Sequence, residues 1–286
     1  MRPGSACARC RFGSRTCSDD TGGKGQIPMW GHAVLVRKCW WCIFHGENRM
    51  RYILAVFKGS YFVFLIPLLF GLSALSALMG LDAAMYRFAQ LQSEYLNALW
   101  SELPLHAGSA APVLAPLFMS LKDRNRSTLM LQSLIFTMLT VTILKALTSR
   151  VDPEGLHILD AYSRSNSFEI GLFKNGLASV VEGWPSGHAA TNVAMVITAV
   201  SGFSSKIRIA GALWAVWVVL ATVFGDRGGV HWLSDSLSGA AIGAAIAYAH
   251  LSIYERQKKN IGTPVEPGKL PFKRPTTSTS YEGGVQ

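Results

Sequence analysis

The stretch Gly183-Trp-Pro-Ser-Gly-His-Ala-Ala-Thr-Asn192 opens an apolar run in the second half of the chain. A Ser-Gly pair at such a point predicts the start of a helix, where free backbone N–H groups can bind an anion. His188 is expected in the first turn of that helix, where an imidazole can transfer a proton or attack a bound group. The stretch therefore predicts an anion site whose chemistry depends on the residues that the rest of the chain brings to it.

The composition of the chain predicts a membrane protein. Half of the 286 residues are hydrophobic and 15% are charged, whereas about a quarter of the residues in a soluble protein are charged. The net charge is +10, but the basic residues occur in short clusters between apolar runs and form no basic face interleaved with aromatic residues. This distribution argues against a nucleic-acid partner and favours a role of the positive charge in membrane orientation.

Six apolar runs are candidates for membrane spans. They predict an all-α fold, a six-transmembrane-helix bundle, because the runs approach the length that a helix needs to cross a bilayer. The fourth run is short, and the helical turn around His188 is expected to extend it. The six runs are 61–80, 103–121, 127–144, 189–203, 209–224 and 236–254.

The charges between these runs predict the orientation of the bundle. Basic residues precede the first run, and further basic clusters lie in the segments 122–126, 204–208 and 255–259; the acidic connections 82–106 and 149–185 fall on the opposite side. Positively charged connections stay in the cytoplasm, so both termini are expected there. The active site is then expected at the non-cytoplasmic helix ends, on the periplasmic or extracellular face of the plasma (inner) membrane.

The two ends of the chain are predicted to lie outside the membrane domain. Residues 1–49 hold all five cysteines and show no secretory signal. We interpret them as a disordered leader or as a segment that precedes a natural start at Met50. Residues 50–254 form the predicted six-span domain. Residues 255–286, rich in Pro, Thr, Ser and Gly, are predicted to be a disordered cytoplasmic tail.

Small residues in the sixth run predict a close helix contact. Gly239-Ala-Ala-Ile-Gly243 places two glycines four residues apart, which allows two helix backbones to approach closely. The partner helix is expected within the same bundle, and contact between subunits, and hence a homo-oligomer, is left open.

Three polar clusters are predicted to meet at the non-cytoplasmic end of the bundle. They lie in the segments 145–153, 185–188 and 226–235, each at the end of an apolar run. Their basic side chains supply fixed positive charge for a multiply charged oxyanion, and a hydroxyl and backbone donors add to it. The residues predicted to bind the anion are Lys145, Arg150, Ser186, Gly187 and Arg227.

Two histidines in these clusters predict catalysis. His231 and Asp235 stand four residues apart, so at a helix start the carboxylate can hold the proton of one ring nitrogen and direct the other outward as a nucleophile. His188 then remains as the acid for a leaving alkoxide. The clusters show no Asp/His metal cage, so neither a metal nor another cofactor is expected.

The three clusters resemble the signature of the type 2 phosphatidic acid phosphatase superfamily, which includes bacterial lipid phosphatases, glucose-6-phosphatase and vanadium haloperoxidases. The family pattern is Lys-x6-Arg-Pro, then Pro-Ser-Gly-His, then Ser-Arg-x5-His-x3-Asp. The order of the motifs and the six-span frame match over about residues 58–254, as in the membrane lipid phosphatase branch. By position, His231 resembles the histidine that forms a phosphohistidine intermediate, Asp235 its orienting partner and His188 the proton donor. Lys145, Ser186 and Gly187 are implied as phosphate contacts.

Two positions depart from the family pattern. Asp152 stands where the pattern has arginine, seven residues after Lys145, and Arg150 lies two residues earlier as a substitute. In the third motif the arginine, Arg227, lies four residues before His231 instead of six. The resemblance therefore predicts a phosphate clamp that depends on Arg150 and Arg227.

The resemblance implies an integral-membrane, metal-independent phosphatase that hydrolyses a lipid phosphate or diphosphate through a phosphohistidine. A phosphotransferase of the same fold is one alternative. A catalytically weakened lipid-phosphate binding or transport protein is another, favoured by Asp152 and the shortened third motif. The lipid is left open among undecaprenyl diphosphate, phosphatidylglycerophosphate, phosphatidic acid and a lipid A phosphate.

Overall fold

The computed structural model describes residues 48–59, 61–100, 102–153, 160–174, 176, 183–225 and 231–262. The chain divides into two compact units, Met1–Arg49 and Met50–Gln286, and nearly all of the described residues belong to the second. The predicted leader up to residue 47, the tail from residue 263 and Arg227 lie outside the described residues.

Helices make up almost all of the described chain, together with two short strands. In chain order the elements are α1 (Asn48–Gly59), α2 (Phe62–Leu78), α3 (Leu81–Gln90), α4 (Glu94–Trp100), α5 (Glu102–Ser120), α6 (Arg124–Leu147), β1 (Thr148–Arg150), α7 (Ala161–Ser165), β2 (Phe168–Ile170), α8 (Gly187–Val200), α9 (Ser205–Phe224) and α10 (Leu233–Gly262).

Each of the six predicted spans coincides with a helix: α2, α5, α6, α8, α9 and α10. Within the described residues, α6, α9 and α10 as far as Arg256 are long and apolar enough to cross a membrane. The pair α2 and α3, bent by 63° at their junction, adds a fourth if it is treated as one span. The predicted helical fold with membrane-capable helices is confirmed, whereas helix length and apolarity support three or four spans.

The outer faces of these helices carry large apolar side chains. Val63 and Phe64 on α2 are 82% and 75% exposed, and Leu213 on α9 is 65% exposed. Soluble monomers rarely expose contiguous apolar surface of this kind, so it is typical of a face that contacts lipid or another protein. The exposed apolar faces therefore agree with the membrane-capable composition of the helices.

The centre of the fold is α8. It packs against α10, α6, α9 and α5, and the small side chains of Ala189, Ala190 and Ala194 are fully buried. A Cβ atom placed on Gly239 or Gly243 of α10 would lie 2.2 or 2.1 Å from a backbone carbonyl oxygen of the α8 segment. The two predicted glycines are therefore used inside the bundle, where they allow the α10 and α8 backbones to touch.

Helices α6 and α8 run in opposite directions. At one end, Arg126 donates hydrogen bonds to the carbonyl oxygens of Ala199 (2.8 Å) and Ser201 at the end of α8. A positive charge there complements the partial negative charge of a helix C-terminus. At the other end, the Thr148 hydroxyl donates to the Trp184 carbonyl oxygen at 2.9 Å, just before α8 begins. A basic connection and the predicted catalytic clusters thus lie at opposite ends of the bundle.

The connection between α6 and α8 contains structure that the all-α prediction missed. Strands β1 and β2 pair antiparallel, with Arg150 opposite Phe168, and α7 lies between them in the chain. The strands have three residues each, which is too short for an alternating apolar pattern to appear in the sequence. The all-α prediction is therefore wrong in this detail. The two paired strands hold Arg150 near the start of α8.

Candidate active site

The start of α8 is built as the sequence predicts. Ser186 is the N-cap, and its side-chain oxygen accepts a hydrogen bond from the Ala189 N–H at 3.4 Å. The Ser186 N–H donates to the carbonyl oxygen of Asp235 at 3.0 Å. Ser186 is fully buried and Gly187, the first helical residue, is half-buried. These contacts tie the second predicted cluster directly to the third.

His188 lies in the first turn of α8 and contacts α5. Its Nε2 atom is 2.9 Å from the hydroxyl oxygen of Ser109, and that hydroxyl also donates to the Leu105 carbonyl oxygen at 2.8 Å. Ser186, which caps the helix directly before His188, is hydrogen-bonded to Asp235 in the cluster that contains His231. The geometry therefore joins the helix start that carries the predicted proton donor to the cluster that carries the predicted nucleophile, and it adds Ser109, a residue that the sequence patterns did not single out.

His231 precedes α10 and is 5% exposed. Its backbone N–H donates to the Thr222 carbonyl oxygen at 3.0 Å. Its Nδ1 atom lies 3.3 Å from an oxygen of Asp152, yet it makes no aligned hydrogen bond. Asp152 and His231 are thus in direct contact, at a distance within hydrogen-bonding range but without hydrogen-bond alignment.

Arg150, at the end of β1, is 1% exposed and uses all of its N–H donors on the protein. Nε donates to the Ser165 carbonyl oxygen at 3.2 Å, and Nη2 donates to the same oxygen at 2.7 Å. Nη1 donates to the Ser234 hydroxyl at 2.8 Å and to the Asp235 carboxylate. Nη2 also donates to Asp82 at 2.6 Å. A phosphate could bind the predicted ligand Arg150 only in exchange for one of these contacts.

Asp82, in the first turn of α3, is the second anion of this network. Its carboxylate accepts hydrogen bonds from the Ser234 N–H at 3.0 Å, from the Ser234 hydroxyl at 2.7 Å and from the Ser76 hydroxyl at 3.2 Å. The side chains of Asp82, Arg150 and Asp235 are all 0% exposed. Buried charges require this degree of pairing, so the network fixes Asp235 at the start of α10.

The remaining predicted phosphate ligands are Lys145 and Arg227. Lys145 lies in the last turn of α6 and is 4% exposed. Arg227 lies outside the described residues, and its predicted role remains a prediction.

Three of these side chains have the spacing of a metal site. One ligand atom each from Asp152, His231 and Asp235 lies within 4.8 Å of the other two. Asp235 is already paired with the guanidinium of Arg150. The fold thus brings Asp152 of the first predicted cluster together with His231 and Asp235 of the third.

The sequence of the chain matches one known protein family. The model of the PAP2 superfamily matches residues 106–259, more than half of the chain. The chain belongs to the PAP2 superfamily. The matched region includes all three clusters, so the predicted superfamily is confirmed. No curated protein matches the sequence significantly.

One solved structure is similar to this PAP2 superfamily member. It is described as the crystal structure of the first transmembrane PAP2 type phosphatidylglycerolphosphate phosphatase from Bacillus subtilis. The TM-score is 0.50 and the sequence identity is 20%, with 70% of this chain and 97% of that chain covered. At this identity, the similarity supports the fold.

Proposed function

We propose that this PAP2 superfamily member is an integral-membrane phosphatase that hydrolyses a lipid phosphate or lipid diphosphate. The observation that carries the proposal is the junction of two helix starts at one end of a bundle of membrane-capable helices: the start of α8, which bears His188, and the start of α10, which His231 precedes. Two histidines and a buried cation supply an acid, a nucleophile and a counter-charge for a phosphoryl group. The phosphatase named for the similar solved structure agrees with this chemistry.

The reaction would proceed in two displacements. A ring nitrogen of His231 attacks phosphorus, the bond from phosphorus to the lipid oxygen breaks, and that oxygen takes a proton from His188. Water then gives a proton to His188 while its oxygen attacks phosphorus, and the phosphorus–nitrogen bond breaks to release inorganic phosphate. Lys145, Gly187 and the N–H groups at the start of α8 would hold the phosphoryl oxygens throughout. The buried Ser186 hydroxyl would support this site chiefly as the helix cap.

The orientation is part of the proposal. On the basis of the charge pattern, both termini would lie in the cytoplasm and the site on the periplasmic or extracellular face, in a six-span bundle that counts α5 and α8 as spans. The position of Arg126 at the opposite end of α8 from His188 supports this arrangement. A lipid would keep its tail in the bilayer while its headgroup reaches the helix ends.

Phosphate release from lipids in detergent tests the proposal. The full chain is incubated with EDTA and each of four lipids: undecaprenyl diphosphate, phosphatidylglycerophosphate, phosphatidic acid and a lipid A phosphate. We expect release from at least one lipid, and loss of that release to the background in His231→Ala, because a nucleophile has no substitute. His106→Ala is the matched control, since His106 is exposed on α5. Wild-type turnover by His231→Ala would refute the mechanism, and a phosphorylated acceptor in place of inorganic phosphate would identify a phosphotransferase.

One observation favours a second candidate, a lipid-phosphate binding or transport protein with little turnover. Arg150 has every N–H donor engaged by the protein, so the clamp loses one predicted cation. Saturable binding of a lipid phosphate without phosphate release from any of the four lipids would support this candidate over the phosphatase.

A further inference from the structure

We infer that Asp152 is a positioning residue that orients the ring of His231. The inference rests on the proposed function in one respect, because the orientation of the ring matters for catalysis only if His231 attacks phosphorus. Asp152 is the position at which the sequence departs most from the family pattern, and the inference assigns a function to the carboxylate found there.

The contacts of Asp152, a residue of the first cluster, place its carboxylate between the backbone just before the second cluster and His231 of the third. One oxygen, Oδ1, accepts a hydrogen bond from the Gly183 N–H at 3.1 Å and lies 3.3 Å from Nδ1 of His231. Gly183 has a φ of +91°, and a Cβ atom there would lie 2.7 Å from the Arg150 carbonyl oxygen. The backbone at Gly183 is therefore closely constrained, and it holds the Asp152 oxygen facing the histidine ring.

The competing carboxylate is Asp235, the orienting partner that the family resemblance implies for His231. One of its oxygens receives a hydrogen bond from the buried guanidinium of Arg150, which Asp82 also binds. Its other oxygen is buried without a hydrogen-bond partner among the described residues. Asp235 thus makes no hydrogen bond to His231, whereas Asp152 has an oxygen in direct contact with it. A buried ring nitrogen requires a polar partner, and Asp152 supplies the carboxylate oxygen that lies 3.3 Å from Nδ1.

An acceptor at Nδ1 has two consequences for His231. It holds the proton on Nδ1, which leaves Nε2 unprotonated and free to attack, and it fixes the plane of the ring. Its negative charge also stabilises the positive charge that the ring gains when a phosphoryl group is attached.

The direct test is nuclear magnetic resonance of the full chain in detergent micelles, with nitrogen-15 in its histidines. The chain has seven histidines, and the His231 signals are assigned by their loss in His231→Gln. We expect a hydrogen-bonded Nδ1–H and an unprotonated Nε2 on His231 in the wild type. The Nδ1–H signal should disappear in Asp152→Ala and weaken in Asp152→Asn, which keeps an oxygen for the Gly183 N–H. Asp160→Asn, at an exposed acid of the same connection, should leave it unchanged.

Kinetics give a second and separable measurement. With the lipid that the wild type hydrolyses best, kcat should fall about 10²- to 10⁴-fold in Asp152→Ala, which is the range for an acid–base partner or an orienting carboxylate. KM should stay within about threefold, because the ring orientation matters in the transition state. A merely structural role would instead raise KM or lower the unfolding temperature in parallel with activity.

The two proposals can fail independently. Retention of the His231 Nδ1–H signal in Asp152→Ala would overturn the role of Asp152, and loss of that signal only in Asp235→Asn would assign the role to Asp235. Absence of phosphate release by the wild type from every lipid would count against the phosphatase, while the resonance of His231 would still decide whether Asp152 is its partner.

Discussion

The replacement of Gly239 by alanine tests whether the contact between α8 and α10 sets the geometry of the site. A Cβ atom at position 239 would lie 2.2 Å from the carbonyl oxygen of Ser186 and 3.1 Å from its carbonyl carbon. Carbon–oxygen contacts normally start at about 3.3 Å, so the two backbones must separate by roughly 1 Å. Both contact atoms belong to backbone, which has no rotamer through which it could yield.

The displacement would act on stability and on activity by different routes. Overpacking of a buried contact costs about 1–3 kcal/mol, which should lower the unfolding temperature. Ser186 caps α8 immediately before His188, so a shift of about 1 Å also moves the proton donor relative to His231. Misplacement of that size can reduce turnover about 10²-fold.

The assay compares three variants in detergent, by thermal unfolding followed through tryptophan fluorescence and by phosphate release. Gly71→Ala is the control, because no atom lies within 4 Å of the added methyl group. Gly243→Ala creates the same overlap, at 2.1 Å, with the carbonyl oxygen of Ala190 one turn further along. We expect Gly239→Ala and Gly243→Ala to be similarly destabilised, with the larger loss of turnover in Gly239→Ala. Turnover and unfolding of Gly239→Ala equal to those of Gly71→Ala would refute the reasoning.

Two further variants probe the buried polar network and the proton donor. Asp82→Ala leaves the Arg150 guanidinium with one carboxylate fewer, so it should destabilise the fold by about 3–5 kcal/mol, measured by chemical unfolding in micelles. Glu169→Ala is the control, because its ion pair is exposed and 3.9 Å long, and it should change stability by less than about 1 kcal/mol. Equal destabilisation by the two variants would contradict the role of the buried network. Ser109→Ala removes the hydroxyl at Nε2 of His188, so kcat should fall about tenfold, as for the loss of one hydrogen bond, without a change in unfolding temperature. Unaltered kcat in Ser109→Ala would show that the His188 ring is held by other contacts.

Local features of the chain were sufficient to predict the main helices and the start of α8 at Ser186. An apolar run determines a helix through its own length and composition, and Ser186 determines the start of α8 through its own side chain and backbone. The glycines at 239 and 243 likewise predict a close helix contact, since the absence of a side chain is a local property. The superfamily could be predicted as well, because the motifs and their order are read directly from the sequence.

The partners of the buried charges could not be predicted in this way. Asp82 and Arg150 stand 68 residues apart in the chain. No rule of sequence spacing predicts a contact between an acidic residue of α3 and an arginine of β1. Arg150 was predicted to bind phosphate because it lies two residues before the position where the family pattern has arginine; the fold instead pairs it with Asp82, Asp235 and the Ser165 carbonyl oxygen. The three-residue strands escaped prediction because they exist through their pairing with each other.

The sequence by itself determined which segments are helical and which residue types reach the ends of the bundle. Only the tertiary structure decided that Arg150 binds Asp235 and that Asp152 faces His231. The physical reason is that helix formation depends on neighbours within a few residues, whereas the free energy of a buried charge depends on distance and burial in three dimensions.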